Sequence, residues 1–142
     1  MPVLVSSGVW CGDCVQQLPL LERIAEASPM ASGAGGKLVD VRYVDRDAHN
    51  DLAELVRICG GMRVPVAIFM AEDYEPVSIF GDRTLTRYRA IAARQIGASC
   101  AVPGAPIDTD ELKGTLQDWL DEVERVHLLL RLSARLREKH GD

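Results

Sequence analysis

Apolar residues along this chain fall in short runs separated by glycine, proline and charged positions, and the runs follow two periodicities. Pro2 to Ser6 is a continuous Val-rich run that predicts a buried strand. Beyond Gly8, the positions Leu18, Leu21, Ile24 and Ala25 recur at helical spacing and predict a helix over 11–27, kinked at Pro19 where an amide donor is missing. The stretch 28–36 is a loop by composition. Residues 38–44, rich in β-branched and aromatic side chains, predict a second strand. A short helix should then carry Leu52, Leu55, Val56 and Ile58, capped by Asp47 or Asn50 and stopped by Gly60-Gly61. A third strand is predicted over 64–70, with Pro65 at its front end, and a fourth, antiparallel one over 77–80 up to Gly81. Leu85, Tyr88, Ile91, Ala92 and Ile96 mark another helix.

A connector over 100–106 leads to Asp108-Thr109-Asp110-Glu111, a candidate capping box for a last helix reaching about Lys139. The first half of that helix is acidic and its last turns are basic, an order that complements the helix dipole. Strands alternating with helices predict an α/β fold. The chain has 142 residues, the size of one domain, and 47% of them are apolar, enough for a real core. With aromatics at 5%, that core must be built mainly from Leu, Val, Ile and Ala. A net charge of −5 argues against nucleic acid or anionic lipid as partner, and no apolar run predicts a membrane span. The opening residues lack a basic leader, so a cytoplasmic location is expected.

The chemistry concentrates in Trp10-Cys11-Gly12-Asp13-Cys14, two cysteines at C-x-x-C spacing on a strand-to-helix junction. The first amides of a helix lack intrahelical partners and its dipole favours negative charge, so a helix start favours the thiolate of Cys11, the nucleophilic form. Cys14 lies one turn on, close enough to form a disulfide and release what Cys11 has captured. Half of a zinc site is the competing reading, but no second C-x-x-C or His pair supplies further ligands. A purely structural disulfide would be out of place in a reducing compartment. No metal and no cofactor is expected.

The motif resembles the active site of the thioredoxin family, with Asp13 where thioredoxins usually carry proline. Pro19 lies five residues after the second cysteine, where the family has its kink proline, and Val64-Pro65-Val66 is similar to the family's cis-proline segment. Gly81, sixteen residues after Pro65, matches a glycine near the end of the following strand. The resemblance covers roughly 2–97. It implies a thioredoxin-like fold: a central four-stranded mixed sheet flanked by helices, lacking the N-terminal strand and helix of thioredoxin and carrying an added long C-terminal helix. The implied organisation is a thioredoxin-like domain over 1–100, with a connector and helix over 101–142 packed on the same domain.

The resemblance also implies function: a thiol–disulfide oxidoreductase in which Cys11 attacks a protein or small-molecule disulfide and Cys14 resolves the mixed disulfide, with an unidentified reductant restoring the dithiol. Trp10 and Gly12 would form the contact surface. Val64, before a cis Pro65, would offer backbone groups to an extended substrate. Peroxide or arsenate reduction by the same thiols, and a non-catalytic interaction or redox-sensing module, are the alternatives. Where thioredoxin buries an acid, six residues before the first cysteine, this chain has Val5. Asp13 could stand in for that acid, yet its charge would oppose a Cys11 thiolate, with the cation of Arg63 as the expected offset. Cys59 and Cys100 are read as small buried hydrophobes, and His49, His127 and His140 as ordinary polar positions. The glycine-rich run before Lys37 fails the phosphate-loop pattern, because Leu38 stands where a hydroxyl is needed. A dimer contact through Leu128, Leu129, Leu130 and Leu132 is the alternative to simple packing of the last helix.

Overall fold

The structure, a computed structural model, describes residues 1–28, 36–95 and 110–142. Its elements in chain order are β1 (Pro2–Ser7), α1 (Gly12–Glu26), β2 (Asp40–Asp45), α2 (Asn50–Leu55), β3 (Val66–Met70), β4 (Pro76–Gly81), α3 (Leu85–Gln95), α4 (Glu111–Leu132) and α5 (Ala134–His140). The strands form one mixed sheet in the order β2-β1-β3-β4. β1 runs parallel to β2 and antiparallel to β3, and β4 returns antiparallel to β3.

The pleat sends alternate side chains to opposite faces. On one face Val3, Val5, Ala67 and Phe69 pack with Leu21, Ile24 and Ala25 of α1 and with Trp119, Val123 and Val126 of α4. On the other, Val66 and Ile68 pack with Val56, supported by Leu4 and Leu52. The strand and helix pattern implied an α/β fold, and the four-stranded mixed sheet between helices is the form of it that the family resemblance implied. Trp119 is wholly buried and meets Phe80 edge to face, with ring centroids 5.0 Å apart. One large aromatic thus supplies much of the volume in a core otherwise aliphatic.

Several local expectations are corrected. The last helix is broken at Ser133, whose backbone is extended. Beyond the break, Leu136 is buried, Arg135 pairs with Asp73, and Lys139 and His140 pair with Glu72, so α5 turns to follow the β3–β4 connection. The predicted short helix ends at Leu55, and neither Asp47 nor Asn50 caps it. Asp45 instead accepts from the amides of Asp47 and Ala48, forming the turn before that helix. Cys59 is exposed in a left-handed turn (φ 50°) bridged by Ile58 and Gly61, which is not the buried position expected of it. β3 begins at Val66, two residues later than predicted, and Pro65 before it has no amide to donate. Asp110 caps α4 by accepting from the amide of Lys113 at 3.1 Å, while Asp108, Thr109, Ile96 and Cys100 lie outside the described residues. Leu130 packs against the core, whereas Leu128, Leu129 and Leu132 are exposed.

Replacing the buried indole, Trp119→Ala, should lower stability by about 3–5 kcal/mol. Urea unfolding monitored by circular dichroism measures this; a loss under about 1 kcal/mol would show that α4 contributes little to the core.

Candidate active site

The site lies where β1 hands over to α1. β1 ends at Ser7, the Cys11 amide donates to the Gly8 carbonyl at 3.0 Å, and Cys11 becomes the N-cap residue of α1. Its sulfur takes the place that a Ser or Asp oxygen usually fills at this position. Cys11 Sγ accepts from the Cys14 amide at 3.4 Å, and its S–H donates to the Val64 carbonyl at 3.5 Å. Both thiols are unbridged, Cys11 partly exposed and Cys14 only 4% exposed. Burial pushes the Cys14 thiol up to about 12; a backbone hydrogen bond at Gly8 pulls the other way, while the Cys11 contact and the charges of Cys11 and Asp13 add to the rise.

Val64 and Pro65 are buried, and the bond between them is cis, as the resemblance implied. Gly81 pairs with Val66 across β3 and β4. A Cβ on Gly81 would sit 2.4 Å from the Pro65 carbonyl oxygen, so only glycine admits this close approach of the two backbones. Trp10 is 54% exposed, its ring held between Gly8 and the guanidinium of Arg46, which lies 4.4 Å from the ring centroid. A Cβ on Gly12 would meet no atom within 4 Å, leaving open space above the helix start.

The charge pairing differs from expectation. Arg63 does not offset Asp13; it reaches Asp82 at 3.1 Å. The Asp13 carboxylate is instead gripped by Arg83, through Nε at 2.8 Å and Nη2 at 2.7 Å, and by Arg87 through Nη2 at 2.8 Å. Arg87 also holds Glu111 at the start of α4. Asp82 is nearly buried, and burial works against its ionisation. The hydrogen bonds from Tyr88 and Arg63 outweigh that and hold its carboxyl below the usual range. Beneath them Gln17, fully buried, donates to the Asp82 carbonyl and accepts from the Thr84 amide, each at 3.2 Å. Val5, at the position of the acid that thioredoxins bury, is wholly buried among apolar side chains. Sequence reasoning missed Gln17, Arg46, Asp82, Arg83, Arg87 and Glu111. The hint the sequence held was two arginines, Arg83 and Arg87, flanking the predicted start of a helix at Leu85. Among the described residues no three His, Cys, Asp or Glu side chains cluster as a metal site requires, and no helix is long and apolar enough to cross a membrane.

The thioredoxin family's profile matches residues 1–93. The chain belongs to that family. Among solved structures it is similar to a protein of unknown function from Pseudomonas aeruginosa, at 19% identity and a TM-score of 0.58 over 88% of this chain. It is also similar to an HIV epitope scaffold, at 18% identity and a TM-score of 0.55 over 87%. It spans 66% and 65% of the length of those two proteins, and both likenesses concern the fold alone. A search of curated proteins gave no match. The matched residues include the cysteine pair, the Val64–Pro65 turn before β3, and Arg83 and Arg87, which hold Asp13.

A raised Cys14 makes the reduced protein sensitive to alkali. Between its ordinary value of 9.0 and about 12, folded Cys14 keeps its proton while the unfolded chain loses it, so stability falls as pH rises through that window. Tyr43, raised first by burial and then by its hydrogen bond to Glu22, adds to the same fall. Urea unfolding of the reduced protein from about pH 8 upward should show this decline, and Cys14→Ala should make it shallower. Equal slopes in the two proteins would mean that Cys14 is not buried as a thiol.

Proposed function

We propose that this chain is a thiol–disulfide oxidoreductase. The observation that carries the reading is the asymmetry of the pair: Cys11 is partly exposed at the helix start, while Cys14 is a buried thiol one turn on, its backbone amide hydrogen-bonded to the Cys11 sulfur. An exposed thiolate at Cys11 attacks one sulfur of a substrate disulfide. The substrate S–S bond breaks, a mixed disulfide forms on Cys11, and one substrate thiolate departs. Cys14 then attacks the Cys11 sulfur, closing the Cys11–Cys14 bond and expelling the second substrate sulfur. Two electrons and the Cys14 proton pass to the substrate sulfurs; the Cys11 proton went to solvent when that thiol ionised, and solvent supplies the proton of the second substrate thiol. Because Val5 offers no carboxylate, the proton of Cys14 leaves with a departing substrate thiolate, which is itself a base near its own pKa of about 8.5.

The substrate is a protein or small-molecule disulfide, and a separate reductant restores the dithiol. Trp10 and Gly12 border the approach, and the Val64–Pro65 turn presents its backbone beside Cys11. Thiols held reduced in this way suit the cytoplasm. A second reading rests on the apolar rim of the site, where Val9 is 91% and Val15 is 64% exposed. On that reading the same face holds a partner protein and the thiols sense redox state without turnover.

Reduction of insulin by dithiothreitol should be accelerated by the protein, and Cys11→Ser should lower that acceleration by about 100-fold or more. Cys14→Ser should leave Cys11 able to form a stable mixed disulfide, visible by mass spectrometry. Undiminished turnover in Cys11→Ser would overturn the enzyme reading, and no turnover in the unaltered protein would favour the binding module.

A further inference from the structure

The Asp13 carboxylate sits between the two cysteines in sequence and is only 13% exposed, where a bare negative charge would oppose ionisation of either thiol. It is not bare. Arg83 meets it with two nitrogens and Arg87 with one, and Arg87 is itself only 12% exposed. The arginines are held in turn: Arg83 also reaches Asp82 at 3.3 Å, and Arg87 pairs with Glu111, which Arg94 meets from the other side at 3.0 Å. Asp82 is further bound by Arg63 and Tyr88. The linked set holds three carboxylates and four guanidiniums, leaving one net positive charge in the network that holds Asp13. Arg46, on the Trp10 side of the site, is engaged with the Trp10 ring and with Asp47.

We propose that Arg83 and Arg87 are positioning residues for the dithiol, which pin and neutralise Asp13 so that Cys11 can ionise, and that Glu111 extends this control to the start of α4. The inference rests on the reading of Cys11 as the nucleophile. It makes the C-terminal helix part of the redox site as well as of the core: Glu111 orients Arg87, Arg87 orients Asp13, and Asp13 adjoins Cys14. The low exposure of Asp13 and Arg87 strengthens the effect, since water screens buried charges less than exposed ones.

The test is the rate at which iodoacetamide modifies Cys11 in the full reduced chain, resolved from the other cysteines by peptide mass spectrometry. In each event the Cys11 thiolate displaces iodide, forming one S–C bond. The double variant Arg83→Gln/Arg87→Gln should react about threefold to tenfold more slowly at about pH 7, with the difference narrowing at about pH 10, where thiols ionise regardless. Adding Asp13→Asn to that variant should return the rate to within about twofold of the unaltered protein, a rescue that a merely structural loss would not show. Asp13→Asn alone should raise the rate, and Glu111→Gln should lower it less than the double variant does. Should the double variant fail to fold, the latter two substitutions carry the test. Unchanged rates in Asp13→Asn, or a triple variant as slow as the double one, would overturn the inference. Failure of the oxidoreductase reading is seen separately, as absent insulin turnover in a protein whose alkylation pattern still follows these charges.

Discussion

Four residues separate the end of a buried strand from the first turn of a helix, and within them the Cys11 sulfur accepts the amide of Cys14. A helix start always leaves amides without intrahelical partners. Filling one of them with a sulfur makes a thiol the cap of the helix. The same contact puts the second thiol one turn away, on the side of the helix that faces the core. The partly exposed and the buried cysteine are two consequences of one cap.

The cap works only if its surroundings hold still. Val5 and Val3 anchor the strand before it in the core, and Leu21, Ile24 and Ala25 anchor the helix after it. The Val64 carbonyl reaches the Cys11 sulfur because β3 starts just beyond, and β4 can lie against that turn because Gly81 has no side chain. Adding a methyl group at Gly81 would force apart two backbones whose spacing sets the floor of the site. Packing geometry in the sheet and chemistry at the sulfur are therefore coupled through backbone contacts.

Electrostatics supplies the rest. The Asp13 carboxylate is held by Arg83, just before α3, and by Arg87 in its first turn, while Arg63 beside the proline turn pairs with Asp82. Those arginines are ordered by further carboxylates, one of them on α4. The helix added after the thioredoxin-like part thus touches the molecule in two ways, through Trp119 in the core and through Glu111 at the charged network.

Alternation of helical and strand periodicities gave the element order as far as the last helix, and the family resemblance carried by Cys11, Cys14, Pro19, Pro65 and Gly81 implied a cysteine pair at a helix start beside a cis-proline turn. Such features are local, or are distances along the chain shared across a family, and a linear reading contains them. The grip on Asp13 is of another kind. Arg83 and Arg87 lie 70 and 74 residues away from it, and their contact depends on the fold bringing the chain around the start of α3 beside the start of α1. Charge and spacing pointed to Arg63 as the partner of Asp13; the folded geometry gives Arg63 to Asp82 and Arg83 to Asp13. The burial of Gln17, the exposure of Cys59 and the break at Ser133 were likewise decided by tertiary contacts, because composition states what a side chain prefers and only packing states what surrounds it.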